Sequence, residues 1–239
     1  MKDKQTVASI LKQPMKTAGA LFPLLVRLSH KRSMKRLVAL GLIVLGGLML
    51  TGCSVMAKAA FGIKEMKTYD PQQVASFSEE CRREVECASV VASVAQVDSL
   101  IRLDLDSSMM QHRAQPVQVL YFDGDSLVFY HINCYTQSGF LSFDWNNYGS
   151  FNRFPPSPTV VGDPSGSMTL SRYRTHLPQL QTHTRYTVVV IWTNMLPRVA
   201  RKAVHAVAAN MGGRPDCTVI LVNTDRWWVN YLQKTDTNS

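Results

Sequence analysis

The clearest alternation of apolar and polar positions lies toward the C-terminus. Thr187 to Trp192 (TVVVIW) is a continuous apolar run. Arg198 to Asn210 then repeats apolar residues at Val199, Ala203 and Val207, on to Met211, and Cys217 to Asn223 (CTVILVN) is again largely apolar. Spacing near 3.6 predicts a helix closed by Gly212-Gly213, and unbroken β-branched runs predict strands covered on both faces. Together they read as a parallel βαβ unit with a right-handed crossover. Asp225-Arg226-Trp227-Trp228 opens a last short helix, whose tryptophans are expected to dock it onto the sheet.

Upstream the pattern is less regular. From Pro71 to Val97, apolar residues at Val74, Phe77, Val85, Ala88, Val91 and Val94 approximate one helical face, and Glu79, Glu80 and Glu84 lie toward its start, so a single long helix is expected. The alternating SLIRLDLD after it predicts a short strand. VQVLYFDGDSLVFYHINCY predicts two strands, Val117 to Phe122 and Leu127 to Cys134, turning at Asp123-Gly124-Asp125, because glycine accepts positive φ and aspartate caps its own turn. A calcium loop at the same place lacks the following series of ligands. Gln137 to Met168 is a long irregular connection. Its aromatics, Phe140, Phe143, Trp145, Tyr148, Phe151 and Phe154, either form a recognition surface or cover the sheet, with covering favoured. Thr169 to Gln181 predicts a short helix.

At the N-terminal end, MKRLVALGLIVLGGLMLTGCS starts at Met34 with two basic residues and continues through an apolar run from Leu37 to Leu50. That run is shorter than the roughly 20 residues a spanning helix needs and has the length of a signal h-region. Leu50-Thr51-Gly52-Cys53 resembles the lipobox of bacterial lipoproteins, which implies cleavage before Cys53 and acylation of its thiol and amino group. The chain is therefore expected to divide into a leader over 1–53, whose residues 1–33 are either an extended n-region or lie ahead of a true start at Met34, with the second favoured, then a tether over 54–75 and one α/β domain over 76–239.

Charge changes meaning once the leader is set aside. The formal charge is +9, but nine of the 26 Lys/Arg and one of the 17 Asp/Glu fall within residues 1–53, leaving 17 basic against 16 acidic residues. A nucleic-acid partner would need a local basic patch with interleaved aromatics, and the sequence has none. The remaining cysteines are Cys81, Cys87, Cys134 and Cys217. In an oxidising envelope they permit two disulfides in any of three pairings, and buried free thiols are an equal alternative. On one helix, Cys81 and Cys87 would lie about 240° and roughly 9 Å apart, too far to bridge. Cysteines and histidines are scattered singly, so no metal site is expected, and His112, His131, His176, His183 and His205 read as surface or core residues. Asp104, Asp106, Asp123, Asp125, His131 and Asp144 are the residues from which a carboxylate–histidine hydrolase would be assembled. No nucleophile elbow, phosphate loop or metal pattern accompanies them, and no cofactor is expected.

The order of apolar strand, Trp192, turn with Pro197, helix, and CTVILVNTD resembles the strand, Trp-Cys-x-x-Cys turn, helix and strand ending in Asp of thioredoxin-like proteins. More loosely, the lipobox, GIKEMKTYD, VLYFDGDSLVFYHINC and VNTDRWW together resemble uncharacterised lipoproteins of Bacteroidetes, whose thioredoxin-like segments often lack the redox pair. The resemblance implies a thioredoxin-like α/β fold, reduced or rearranged, with the 117–134 hairpin joining the sheet of the 187–223 unit. The departure is chemical: the turn holds Thr193, Asn194, Met195, Leu196 and Pro197, none of them a thiol, so no catalytic residue carries over. Pro197 suits the first helical turn. The function this implies is a non-enzymatic binding or interaction module, held by lipid on Cys53 at a bacterial membrane with an envelope protein as possible partner. Ser54, in place of the aspartate that retains lipoproteins at the inner membrane, points to the outer membrane facing the periplasm. The alternative is a thiol-disulfide oxidoreductase of unusual design using Cys134 and Cys217.

Overall fold

Pro71–Arg82 forms the first helix, α1. Asp70 caps it, accepting from the Gln72 and Gln73 N–H groups at 2.9 and 3.2 Å, and Pro71 supplies a preset φ where no N–H is needed. The computed structural model describes residues 62–103, 113–133, 144–156 and 168–236, all within a unit spanning Val55–Ser239. The leader with Cys53, and Asp104, Asp106, His112, Cys134, Phe140 and Phe143, lie outside the described residues.

The single helix expected from Pro71 to Val97 is not formed. After α1 the chain turns at residues 83–86, runs as strand β1 (Cys87–Val91), and re-enters a helix, α2 (Val94–Ile101). Ser93 and Gln96 form a reciprocal capping box, with Ser93 N–H to Gln96 Oε1 at 2.8 Å and Gln96 N–H to Ser93 Oγ at 3.2 Å. That box starts a new helix rather than continuing an old one, and the β-branched pair Val90-Val91 before it gains a ladder by pairing with a neighbouring strand. The start of SLIRLDLD is accordingly helical, since Ser99–Ile101 belong to α2.

The hairpin forms as β2 (Gln118–Asp123) and β3 (Ser126–Ile132), turning at Gly124 with φ +57°. A 3₁₀ helix at Asn147–Asn152 and a short helix, α3 (Leu170–His176), follow. The C-terminal unit is β4 (Tyr186–Trp192), α4 (Pro197–Met211), β5 (Cys217–Asn223) and α5 (Asp225–Asp236). The sheet order is β1-β5-β4-β2-β3. β1, β5 and β4 run parallel, while β2 is antiparallel to β4 and β3 is antiparallel to β2. The fold is thus α/β on a five-stranded mixed sheet, and the hairpin joins the same sheet as the βαβ unit.

Two cores lie on the two faces. On the first, Val188, Val190 and Trp192 meet α1 and the Val199–Ala203–Val207–Met211 face of α4, with Phe77 stacked on Trp192 at 3.9 Å between centroids. On the second, Val189, Ile191, Ile220 and Val222 pack against α2, α3 and α5, with Trp227 and Trp228 docking α5. Burial on both sides is why β4 is apolar at almost every position. Of the long connection, Trp145, Phe151 and Phe154 pack on the first face, a covering role. Asn210 on α4 ties that segment down by donating to the carbonyls of Phe151 and Arg153 at 2.6 and 2.7 Å.

Candidate functional site

The helices after β4 and β5 depart to opposite faces, α4 to the first and α5 to the second. Loops that diverge in this way leave a crevice outside the carboxyl ends of the parallel strands, the position where open α/β sheets most often bind ligands. Here the crevice lies between the turn Thr193–Leu196 and the start of α5.

Its floor is held by one carboxylate. Asp225, 1% exposed, accepts from the Thr193 hydroxyl, the Asn194 N–H and the Asn194 side-chain amide, each at 2.7 Å. Thr224 closes the same corner, its N–H donating to the Trp192 carbonyl at 2.9 Å. Hydrogen bonds to a carboxylate are stronger than neutral ones, so the turn is fixed in one conformation. Over this floor runs the chain's own segment from Gly62 to Asp70. Lys64 N–H donates to the Met195 carbonyl at 2.9 Å, the Met66 sulfur sits 3.4 Å from the Thr193 hydroxyl, and Gln233 donates to the Lys67 carbonyl at 3.0 Å. The segment read as a tether is, in this part, packed on the domain. A cavity of about 270 Å³ remains between it and the floor, bounded by Asn194, Asp225, Asp70 and Gln73.

The described cysteines are elsewhere. Cys81 lies buried on α1, not on a helix shared with Cys87, which opens β1. Cys217 opens β5 and pairs with Tyr186, at the opposite end of the strands from the crevice. All three are free, and burial pushes the Cys81 thiol up to about 12 and the Cys217 thiol up to about 11; it raises Cys87 as well. An activated thiol needs the reverse. Cys134 is outside the described residues.

Among the described residues, the carboxylates and histidines do not assemble a hydrolytic site. Asp123 binds Arg185 at 3.0 Å, and that hydrogen bond holds its carboxyl below the usual range. Asp125 accepts from the Ser171 N–H at 2.6 Å at the start of α3, and Asp144 accepts from the Asn146 N–H at 2.9 Å. His131 is buried in the first core, its ring edge-on to Trp145 at 5.2 Å, and burial drives its pKa down to about 4. His205 is exposed and faces Glu84 at 3.2 Å. His176 ends α3 and His183 is exposed. Among the described residues no group of three His, Cys, Asp or Glu could hold a metal ion. A second concavity, an open groove of about 850 Å³ between the 144–156 segment and α4, is walled by Trp145, Phe151, Lys202 and the paired Arg201 and His205.

Neither the Asp225 clamp nor the seating of 62–70 follows from local patterning. The available signals were the Asp at the end of CTVILVNTD and the three-residue spacing of Ile63, Met66 and Tyr69. Among known proteins, no family model, no curated protein and no solved structure matches this chain.

Proposed function

We propose that the chain is a bacterial envelope lipoprotein, anchored through acylated Cys53 at the outer membrane and facing the periplasm, whose folded part is a redox-inactive thioredoxin-like scaffold used for binding. The observation that carries this reading is the Asp225 clamp: in the turn between strand and helix, where a thioredoxin-like protein presents a thiolate, this chain has no thiol, and Asn194 of that turn is buried and tied by two hydrogen bonds to a buried carboxylate. The order β5-β4-β2-β3, parallel then twice antiparallel, supports the scaffold half of the reading. It matches a thioredoxin sheet with its hairpin moved ahead of the βαβ unit and β1 added at the outer edge. The raised thiols of Cys81, Cys87 and Cys217 support the non-redox half.

Anchoring is tested by mass spectrometry of the mature protein extracted from bacterial membranes. The expected species begins at acylated Cys53, and a non-acylated chain retaining residues 34–52 overturns the localisation. Each buried methylene of the acyl chains contributes about 0.8 kcal/mol, so several chains hold the domain stably.

A further inference from the structure

Resting on the reading of the domain as a binding scaffold, we propose that the crevice between the Thr193–Leu196 turn and α5 is a docking site for an extended polypeptide, and that residues 62–70 are its resident, displaceable occupant. The chain's own segment shows what the site accepts. Its backbone is engaged through the Lys64 N–H on the Met195 carbonyl. Its side chains anchor at intervals of three: Ile63 and Tyr69 pack against the first core and Met66 against the second, so the strap straddles the end of the sheet. The Arg226 guanidinium lies over the Tyr69 ring at 4.8 Å. Main-chain bonding with spaced side-chain pockets is how domains recognise extended peptides.

Three features make this occupant displaceable. No residue from Gly62 to Asp70 is fully buried, and Lys64, Glu65, Lys67 and Thr68 are exposed. The fit leaves the 270 Å³ cavity open beside it. The strap also ends at Asp70, whose caps on Gln72 and Gln73 belong to α1, so lifting residues 62–69 breaks no strand pairing and leaves that helix start intact. The cavity is lined by the carboxylates of Asp70 and Asp225 together with the strap's own Lys64, Glu65 and Lys67, so that lifting the strap leaves the two carboxylates. A competing segment therefore carries apolar anchors three residues apart with basic residues between them, and reaches further into the cavity than the strap does. Tethered in cis, the strap competes at an effective concentration in the millimolar range, which suppresses weak ligands and admits tighter ones.

The test uses the full chain and a fluorescein-labelled peptide of sequence GIKEMKTYD, read by fluorescence anisotropy. Two variants release the strap independently: Met66→Asp disfavours its central anchor, and Lys64→Pro removes its main-chain donor. Either one, with an unchanged circular dichroism spectrum, is expected to bind the peptide at least 10-fold more tightly than the parent. A peptide with Asp at the methionine position is expected to lose that binding. Equal binding to parent and variants, or binding to none, overturns the inference. Neither outcome bears on acylation or reductase activity, so this failure is distinguishable from failure of the scaffold reading. Amide exchange supplies an independent check in the parent: the peptide is expected to accelerate exchange at Lys64, and unchanged exchange at saturating peptide counts against displacement.

Discussion

Asp225 grips Asn194 at both ends, accepting the backbone N–H on one carboxylate oxygen and the side-chain amide on the other, each at 2.7 Å, across 31 residues of sequence. The contact joins the turn after β4 to the head of α5 and makes the crevice floor a fixed surface. Asp225→Ala leaves a buried hydroxyl, an N–H and an amide without their acceptor. Loss of such a buried, charge-assisted network costs about 3 kcal/mol. Urea denaturation should show that loss as a lower midpoint with an unchanged slope, and a change under about 0.5 kcal/mol would mean that the clamp is not structural.

His131 gives the domain a defined acid sensitivity. Its folded-state pKa is about 4 against the ordinary 6.5, because burial disfavours the imidazolium. The unfolded chain thus binds a proton from pH 6.5 downward that the folded chain refuses. Stability is full above 6.5 and falls as pH drops toward 4, by about 3 kcal/mol, since each tenfold difference in proton affinity is worth about 1.4 kcal/mol. His131→Phe should flatten the stability profile between pH 6.5 and 4, measured by thermal melts across that window. An unchanged slope in the variant would place the sensitivity elsewhere. The lowered carboxyls of Asp70, Asp123 and Asp216 act below this window.

Tyr121 is fully buried between Phe129 and Phe151, and among the described residues its hydroxyl has no hydrogen-bond partner. A buried hydroxyl without a partner carries a desolvation cost of about 1 kcal/mol or more. Tyr121→Phe keeps the ring and removes that group, so the melting temperature should stay constant or rise. A marked fall would reveal a role for the hydroxyl.

The thiols should be inert in the fold. With Cys81 near 12 and Cys217 near 11, thiolate at pH 8 is about one part in a thousand or less. Iodoacetamide labelling of these two should be at least 100-fold slower in buffer than in 8 M urea, followed by peptide mass spectrometry. Rapid labelling of Cys217 in the folded protein would contradict the burial.

How much of this was legible depended on whether a signal was local. The 186–223 unit was readable because β4 is covered on both faces and so is apolar throughout, and the hairpin because Asp123-Gly124-Asp125 encodes its own turn. The stretch after Pro71 misled because Val74, Phe77, Val85, Ala88, Val91 and Val94 fit a helical spacing although the chain alternates helix, strand, helix. The capping box at Ser93 and Gln96 was the local sign of the break. The crevice was not readable at all. Met66, Asn194 and Asp225 are brought together only by the sheet order, and no periodicity reports contacts that span 31 to 127 residues.

The most direct test of the central claim is a disulfide reductase assay on the full chain beside its Cys134→Ala/Cys217→Ala variant, with insulin as substrate and dithiothreitol as reductant. No acceleration over dithiothreitol alone is expected for either protein. Turnover by the parent that disappears in the variant would contradict that claim and make the protein a thiol oxidoreductase.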